Sequence, residues 1–206
     1  DVEPLIHRVY FFDLMDGSFN SFSSSECKFG YRDSLFKGSN MIITHIEFKS
    51  NLEKKLCLSY GSLHKKINDI SLDKKFLNPQ IISKLITEIR EAALPNPLIE
   101  PNAGSFFKNP IIDINSIKTD HFDLNELIIW ELENNLVKVG AAKLIQLIKN
   151  ELPEAHNVSI SKKHNLVLTT NGIASQQDVI NFAKAIQSKV KYYFNINLEI
   201  EPRVIL

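Results

Sequence analysis

Apolar and polar positions follow two different rhythms along this chain. Before about residue 61 the apolar residues gather in short β-prone runs. HRVYFFDL (7–14) and MIITHIEFK (41–49) predict strands, and LCLSYG (56–61) predicts a shorter one. Asp16-Gly17 supplies a tight-turn signal behind the first run. The serine-rich residues 21–25 and the stretch FGYRDSLFKG (29–38) hold no sustained period and read as loop or irregular edge.

Helical spacing then takes over. Asn78-Pro79 opens a helix, with proline at the first helical position, and Ile82, Leu85, Ile86 and Ile89 give it one apolar face to about residue 93. LPNPLIEP (94–101) places three prolines in eight residues, which ends that helix and marks a domain boundary. Beyond it, VGAAKLIQLIKN (139–150) predicts a helix and NLVLTTNG (165–172) a strand with a turn. Ser175 and Asp178 read as a capping pair ahead of a helix through Val179, Phe182, Ala183, Ile186 and Val190 to about residue 194. INLEIEP (196–202) alternates as a strand, with Glu199 and Glu201 on the face opposite Ile196, Leu198 and Ile200. Strands first and mixed elements later predict an α+β fold, not a doubly wound parallel sheet.

Composition narrows the function. Of 206 residues 44% are hydrophobic, and 24 basic side chains balance 24 acidic ones, so no basic excess points to nucleic acid. No apolar stretch approaches the roughly 20 residues that cross a bilayer. Cys27 and Cys57 have no metal spacing and read as buried thiols in a reducing compartment. The six histidines have no shared ligand spacing, so we expect no metal. The chain starts on Asp1 with strand pattern almost at once, and we expect further polypeptide ahead of it.

Three places could carry chemistry. In PNAGSFFKNP (101–110), Gly104 frees the backbone beside Ser105, Phe106 and Phe107 can anchor the loop, and Asn102 and Asn109 offer amides to a ligand. A glycine–serine turn pinned by two aromatics explains the same stretch without function. No G-x-S-x-G pattern surrounds Ser105, which argues against a hydrolase nucleophile. In GYRDSLFK (30–37), Arg32 sits among Tyr31, Asp33 and Ser34, which suits paired donation to a carboxylate or phosphate; a local pair with Asp33 is the simpler alternative. Glu201 is the third candidate, and spacing alone does not separate it from Glu199.

In order along the chain, GYRDSLFK, LSYGSL (58–63), LPNPLIEPNAGSFFKNP (94–110) and LEIEPRV (198–204) resemble the UDP-N-acetylenolpyruvoylglucosamine reductase family. The resemblance implies a cytoplasmic, monomeric flavoenzyme of peptidoglycan synthesis, with FAD as cofactor and NADPH as reductant. Its substrate would be UDP-N-acetylglucosamine enolpyruvate, reduced to UDP-N-acetylmuramate, with no nucleic-acid or membrane partner. It implies that residues 1–93 are the later half of an FAD-binding domain and 94–195 a mixed α/β substrate-binding domain. Residues 196–206 would be a strand returning to the flavin side. By the same resemblance Arg32, Ser105 and Glu201 are catalytic, and Tyr60, Asn109, Trp130 and Lys138 bind substrate; which residues hold the cofactor is not implied.

Three departures stand against it. Ala93 replaces a lysine that helps to hold substrate phosphate, Trp130 stands where a tyrosine covers the substrate, and His156-Asn157 replaces small residues. They leave room for an alternative, a UDP-sugar-binding module with impaired catalysis.

Overall fold

The computed structural model describes residues 2–50, 56, 58, 60–70 and 74–205. The chain divides into two compact units, Asp1–Leu56 and Cys57–Leu206. Every strand pair among the described residues is antiparallel, in keeping with the expected α+β fold.

The first unit is a sheet of β1 (Ile6–Asp13), β2 (Ser18–Ser23) and β3 (Met41–Phe48) in the order β2-β1-β3. β1 and β3 match the expected strands, but residues 21–23 belong to β2 and not to a loop. Phe19 and Phe22 explain the difference. They point to opposite faces, where Phe22 meets Phe11 at 4.6 Å and Phe19 meets Phe12 at 4.9 Å. Three serines and Asn20 fill the remaining positions, and Ser21 accepts a 2.9 Å hydrogen bond from Arg8. Ile6, Val9, Phe11, Cys27 and Phe36 form the core of this unit. Cys27 is buried as expected, and burial raises its thiol pKa. Cys57 lies outside the described residues.

The second unit opens with α1 (Gly61–Asp69) and α2 (Pro79–Ala93), joined through Leu63, Ile67, Ile82 and Leu85. The strand expected over 56–61 is not seen at Leu56, Leu58 or Tyr60, Ser59 lies outside the described residues, and Gly61 already begins α1. Leu63 and Ile67, at i and i+4, form the buried face of α1, so the helical period takes the segment from Gly61. α2 follows its expected start: the Asn78 side chain accepts from the Ile81 N–H at 2.9 Å, ahead of Pro79.

Two small sheets and two helices complete this unit. β4 (Asn102–Ser105), β9 (Val167–Thr170) and β8 (Val158–Ile160) pair in that order. So do β5 (Ile111–Asp113), β7 (Leu136–Val139) and β6 (Ile129–Glu131). α3 (Ala141–Ile148) and α4 (Gln176–Phe194) supply much of the core through Leu144, Ile145, Ile148, Phe182, Ile186, Val190 and Phe194, against Phe106 and Phe107. The helix expected from residue 139 starts at Ala141 because Val139 ends β7. α4 begins at the expected capping box, Ser175 with Asp178, and ends at Asn195 in a left-handed turn with φ +58°. The expected terminal strand is reduced to extended chain with one bridge, Phe107 to Ile200. Its alternation survives, since Ile196 and Leu198 are buried and Glu199 is exposed.

Candidate active site

Residues 102–109 are built around a bulge. Asn102 Oδ1 accepts from the Gly104 N–H at 2.9 Å and Asn102 Nδ2 donates to the Glu100 carbonyl at 2.7 Å, so this amide shapes its own loop. Gly104 takes φ +74°. Asn102 pairs with Thr169 and Ser105 with Val167, so three steps along β4 match two along β9. That is one extra residue, with glycine in the left-handed position, and such bulges re-aim the side chain that follows. Ser105 is exposed immediately after it, while Phe106 and Phe107 are buried edge to face, 5.4 Å apart.

The aromatic pair also holds the C-terminal segment. The Lys108 N–H donates to the Glu199 carbonyl at 2.9 Å, and the Glu201 N–H donates to the Phe106 carbonyl at 3.0 Å. Glu201 is therefore fixed beside the residue that follows Ser105, although the two lie far apart in sequence. The same ladder separates the two glutamates. Glu199 lies opposite Lys108, and its carboxylate accepts from the Lys108 ammonium, whose side chain is only 13% exposed. The sequence offers Glu199 only as the alternative to Glu201 and does not single out Lys108, because pairing register and not local pattern brings them together.

A second group of expected residues gathers around β7. Lys138 pairs with Ile111 on one side and Trp130 on the other, and its ammonium lies 5.1 Å from the Trp130 ring centre. Asn109 Oδ1 accepts from the Ala141 N–H at 3.0 Å, capping α3 from another element. Gly140, which precedes that helix, has no side chain to cap with. A Cβ there would lie 3.1 Å from Ile128 Cβ, so close approach of the residue ahead of β6 favours glycine.

Tyr60 is 71% exposed at the N-terminal edge of α1. Beside Ala93, the ammonium of Lys163 reaches the Glu91 carbonyl at 3.0 Å and the Leu94 carbonyl at 3.4 Å. A cation from another loop thus sits at the end of α2. The Asn157 departure has a structural use: its backbone and side-chain oxygens accept from the backbone and side-chain N–H groups of Asn171 at 3.2 and 3.0 Å.

Arg32 belongs to the first unit, and Ser105 and Glu201 to the second. Gly30 and Asp33 exchange backbone hydrogen bonds of 2.9 and 3.2 Å across Tyr31 and Arg32. Arg32 takes φ +55° at this apex, a region that costs an ordinary side chain about 1–2 kcal/mol. Asp33 Oδ1 accepts from the Ser34 N–H, the Lys37 ammonium donates to the Arg32 carbonyl at 2.6 Å, and the guanidinium lies 5.8 Å from the Tyr31 ring centre.

The family model described as UDP-N-acetylenolpyruvoylglucosamine reductase, C-terminal domain, matches residues 96–205. The UDP-N-acetylenolpyruvoylglucosamine reductase of Pseudomonas savastanoi pv. phaseolicola is 32% identical over 99% of this chain and 60% of its own length. That of Shewanella sediminis is 33% identical over 96% of this chain and 56% of its own. The crystal structure of UDP-N-acetylenolpyruvylglucosamine reductase from Thermus caldophilus shares the fold, with a TM-score of 0.56 at 20% identity over 97% of this chain and 52% of that one. The chain thus spans about 60% of the length of such relatives. Residues 96–205, more than half of the chain, match the family's own C-terminal domain, and this chain belongs to the UDP-N-acetylenolpyruvoylglucosamine reductase family.

Proposed function

We propose that this chain is the substrate-handling part of a reductase that converts UDP-N-acetylglucosamine enolpyruvate to UDP-N-acetylmuramate in peptidoglycan synthesis, using FAD and NADPH. The observation that carries this reading is the bulge-and-ladder arrangement that exposes Ser105 and bonds the Glu201 backbone to Phe106, the residue after it. In this reading residues 1–93 form the later half of the flavin domain, 94–195 the substrate domain, and 196–206 the returning segment.

The described residues do not themselves fit a flavin pyrophosphate. Gly17, Gly38, Gly104 and Gly172 take positive φ one at a time, in separate turns, and do not form a run of backbone N–H donors. We therefore assign the cofactor's phosphates to the part of the family fold beyond this chain, and expect the 206-residue chain alone to bind FAD poorly. Hydride delivery is the chemistry that a bound flavin supplies.

The chain's own residues supply field, geometry and a proton. The Arg32 guanidinium donates paired N–H groups to the substrate carboxylate and stabilises negative charge as it spreads there; one such donor is typically worth about 3–4 kcal/mol. Glu201 works with Arg32 at the same carboxylate. The Ser105 hydroxyl gives its proton to the carbon that bears the carboxylate. A hydroxyl is a weak acid, so this requires a strongly basic carbon held close to a fixed Ser105. Tyr60 contacts the nucleotide diphosphate and Trp130 covers it, with Asn109 and Lys138 as further substrate-binding residues.

The test is a chimera that places the unmatched portion of the P. savastanoi relative ahead of this chain. Flavin absorbance together with NADPH oxidation that depends on the enolpyruvyl nucleotide supports the reading. A flavin-loaded chimera whose NADPH oxidation ignores that substrate contradicts it.

A further inference from the structure

We propose that Glu199 is a positioning residue for the reductase reaction: by engaging the Lys108 ammonium it keeps that cation off Glu201. The inference rests on the role given to Glu201 above. Both carboxylates belong to one short segment, and the frame that holds it is fixed. Ile196 and Leu198 are buried, at 1% and 4% exposure. Gln187 of α4 donates through Nε2 to the Leu198 carbonyl at 2.8 Å. Phe107 and Ile200 then form their bridge, and the Lys108 and Glu201 N–H bonds close it on either side.

That register sets Lys108 opposite Glu199 and Phe106 opposite Glu201. Residues opposite one another across an antiparallel pair share a face, and so do residues two apart along extended chain. Glu199 and Glu201 therefore stand on one side, roughly 7 Å apart at their Cα atoms. Lys108 meets Glu199 directly and Glu201 on the diagonal, a separation of about 7–8 Å that a long side chain spans. One ammonium has two carboxylates to choose from, and it takes Glu199.

Burial makes that choice matter. The Lys108 side chain is 13% exposed and the Glu199 side chain 70%, so the carboxylate reaches in from solvent to a cation that water hydrates poorly. A largely buried charge stripped of its partner is strongly destabilising, and an ammonium that loses one carboxylate turns to the next. Along this ladder the next is Glu201. An ion pair there would draw the Glu201 carboxylate toward Lys108 and away from the substrate carboxylate that it serves with Arg32. Stability alone does not call for the Lys108–Glu199 pair, since apolar residues of similar volume often match a buried ion pair.

Two readouts test the proposal: single-turnover oxidation of reduced flavin in the chimera, and the NMR signal of the Glu201 carboxyl carbon in the 206-residue chain. Glu199→Gln should slow oxidation by the enolpyruvyl nucleotide at least about tenfold and shift the Glu201 signal. Adding Lys108→Met should return the signal and bring the rate back to within about threefold of the unsubstituted chimera. A purely structural pair gives no such rescue, because a second deletion at the same joint does not tighten it. An unslowed Glu199→Gln chimera overturns the proposal. So does an unmoved Glu201 signal, or a slow rate that Lys108→Met leaves slow. An unsubstituted chimera that ignores the enolpyruvyl nucleotide contradicts the reductase reading instead, and the carboxyl signal then decides by itself whether Lys108 changes partner.

Discussion

Phe107→Ala probes the joint between loop and C-terminal segment. Phe107 is 1% exposed, stacks edge to face on Phe106, and is the bridge partner of Ile200. Truncating a fully buried phenylalanine costs about 3–5 kcal/mol through lost burial and a residual cavity. For a protein of this size each kcal/mol moves Tm by about 2–4 °C, so the expected fall is about 6–20 °C. The Lys108 and Glu201 N–H groups, whose bonds flank the bridge, should lose hydrogen-exchange protection before the α4 core does. Thermal unfolding by circular dichroism and exchange by mass spectrometry read the two effects. A fall of less than about 3 °C, or unchanged protection at Glu201, would refute the claim that this side chain ties the two segments together.

Three further outcomes follow from the geometry. Because Arg32 has positive φ, Arg32→Gly should be about 1 kcal/mol more stable than Arg32→Ala in thermal melts, while both lose carboxylate recognition in the chimera. Asp178 has its pKa held below the ordinary aspartate value by hydrogen bonds from the Ser175 backbone and side chain, so its contribution is present above that ordinary value and is lost as pH falls through the depressed one. Asp178→Asn should therefore lower Tm at neutral pH, with the gap to wild type closing in strong acid. A double-mutant cycle of Lys108→Met and Glu199→Gln should give a coupling of about 1–2 kcal/mol, above an exposed pair because the Lys108 side chain is largely buried.

Long, strongly patterned elements were legible in the sequence: β1, β3, α2 and α4 carry enough repeats of one period to declare themselves. β5, β6, β7 and β8 are only three or four residues long, too short for alternation to show, and β2 hid behind its serines. α1 was lost because only Leu63 and Ile67 mark its buried face, too few to show a helical period. At the site, the residue types of PNAGSFFKNP pointed to a special turn, but only pairing register shows that Gly104 makes a bulge. Register likewise engages Glu199 with Lys108 and sets Glu201 beside the Ser105 loop. Contacts between residues so distant in sequence leave no local period to read.

The most direct measurement is single-turnover oxidation of reduced flavin by the enolpyruvyl nucleotide, comparing the chimera with its Ser105→Ala variant. The account predicts a slowing of more than about tenfold, a loss above 1.4 kcal/mol of transition-state stabilisation, with flavin reduction by NADPH unchanged. Oxidation at nearly the original rate would show that the proton comes from elsewhere and that the Ser105 loop does not serve the chemistry assigned to it.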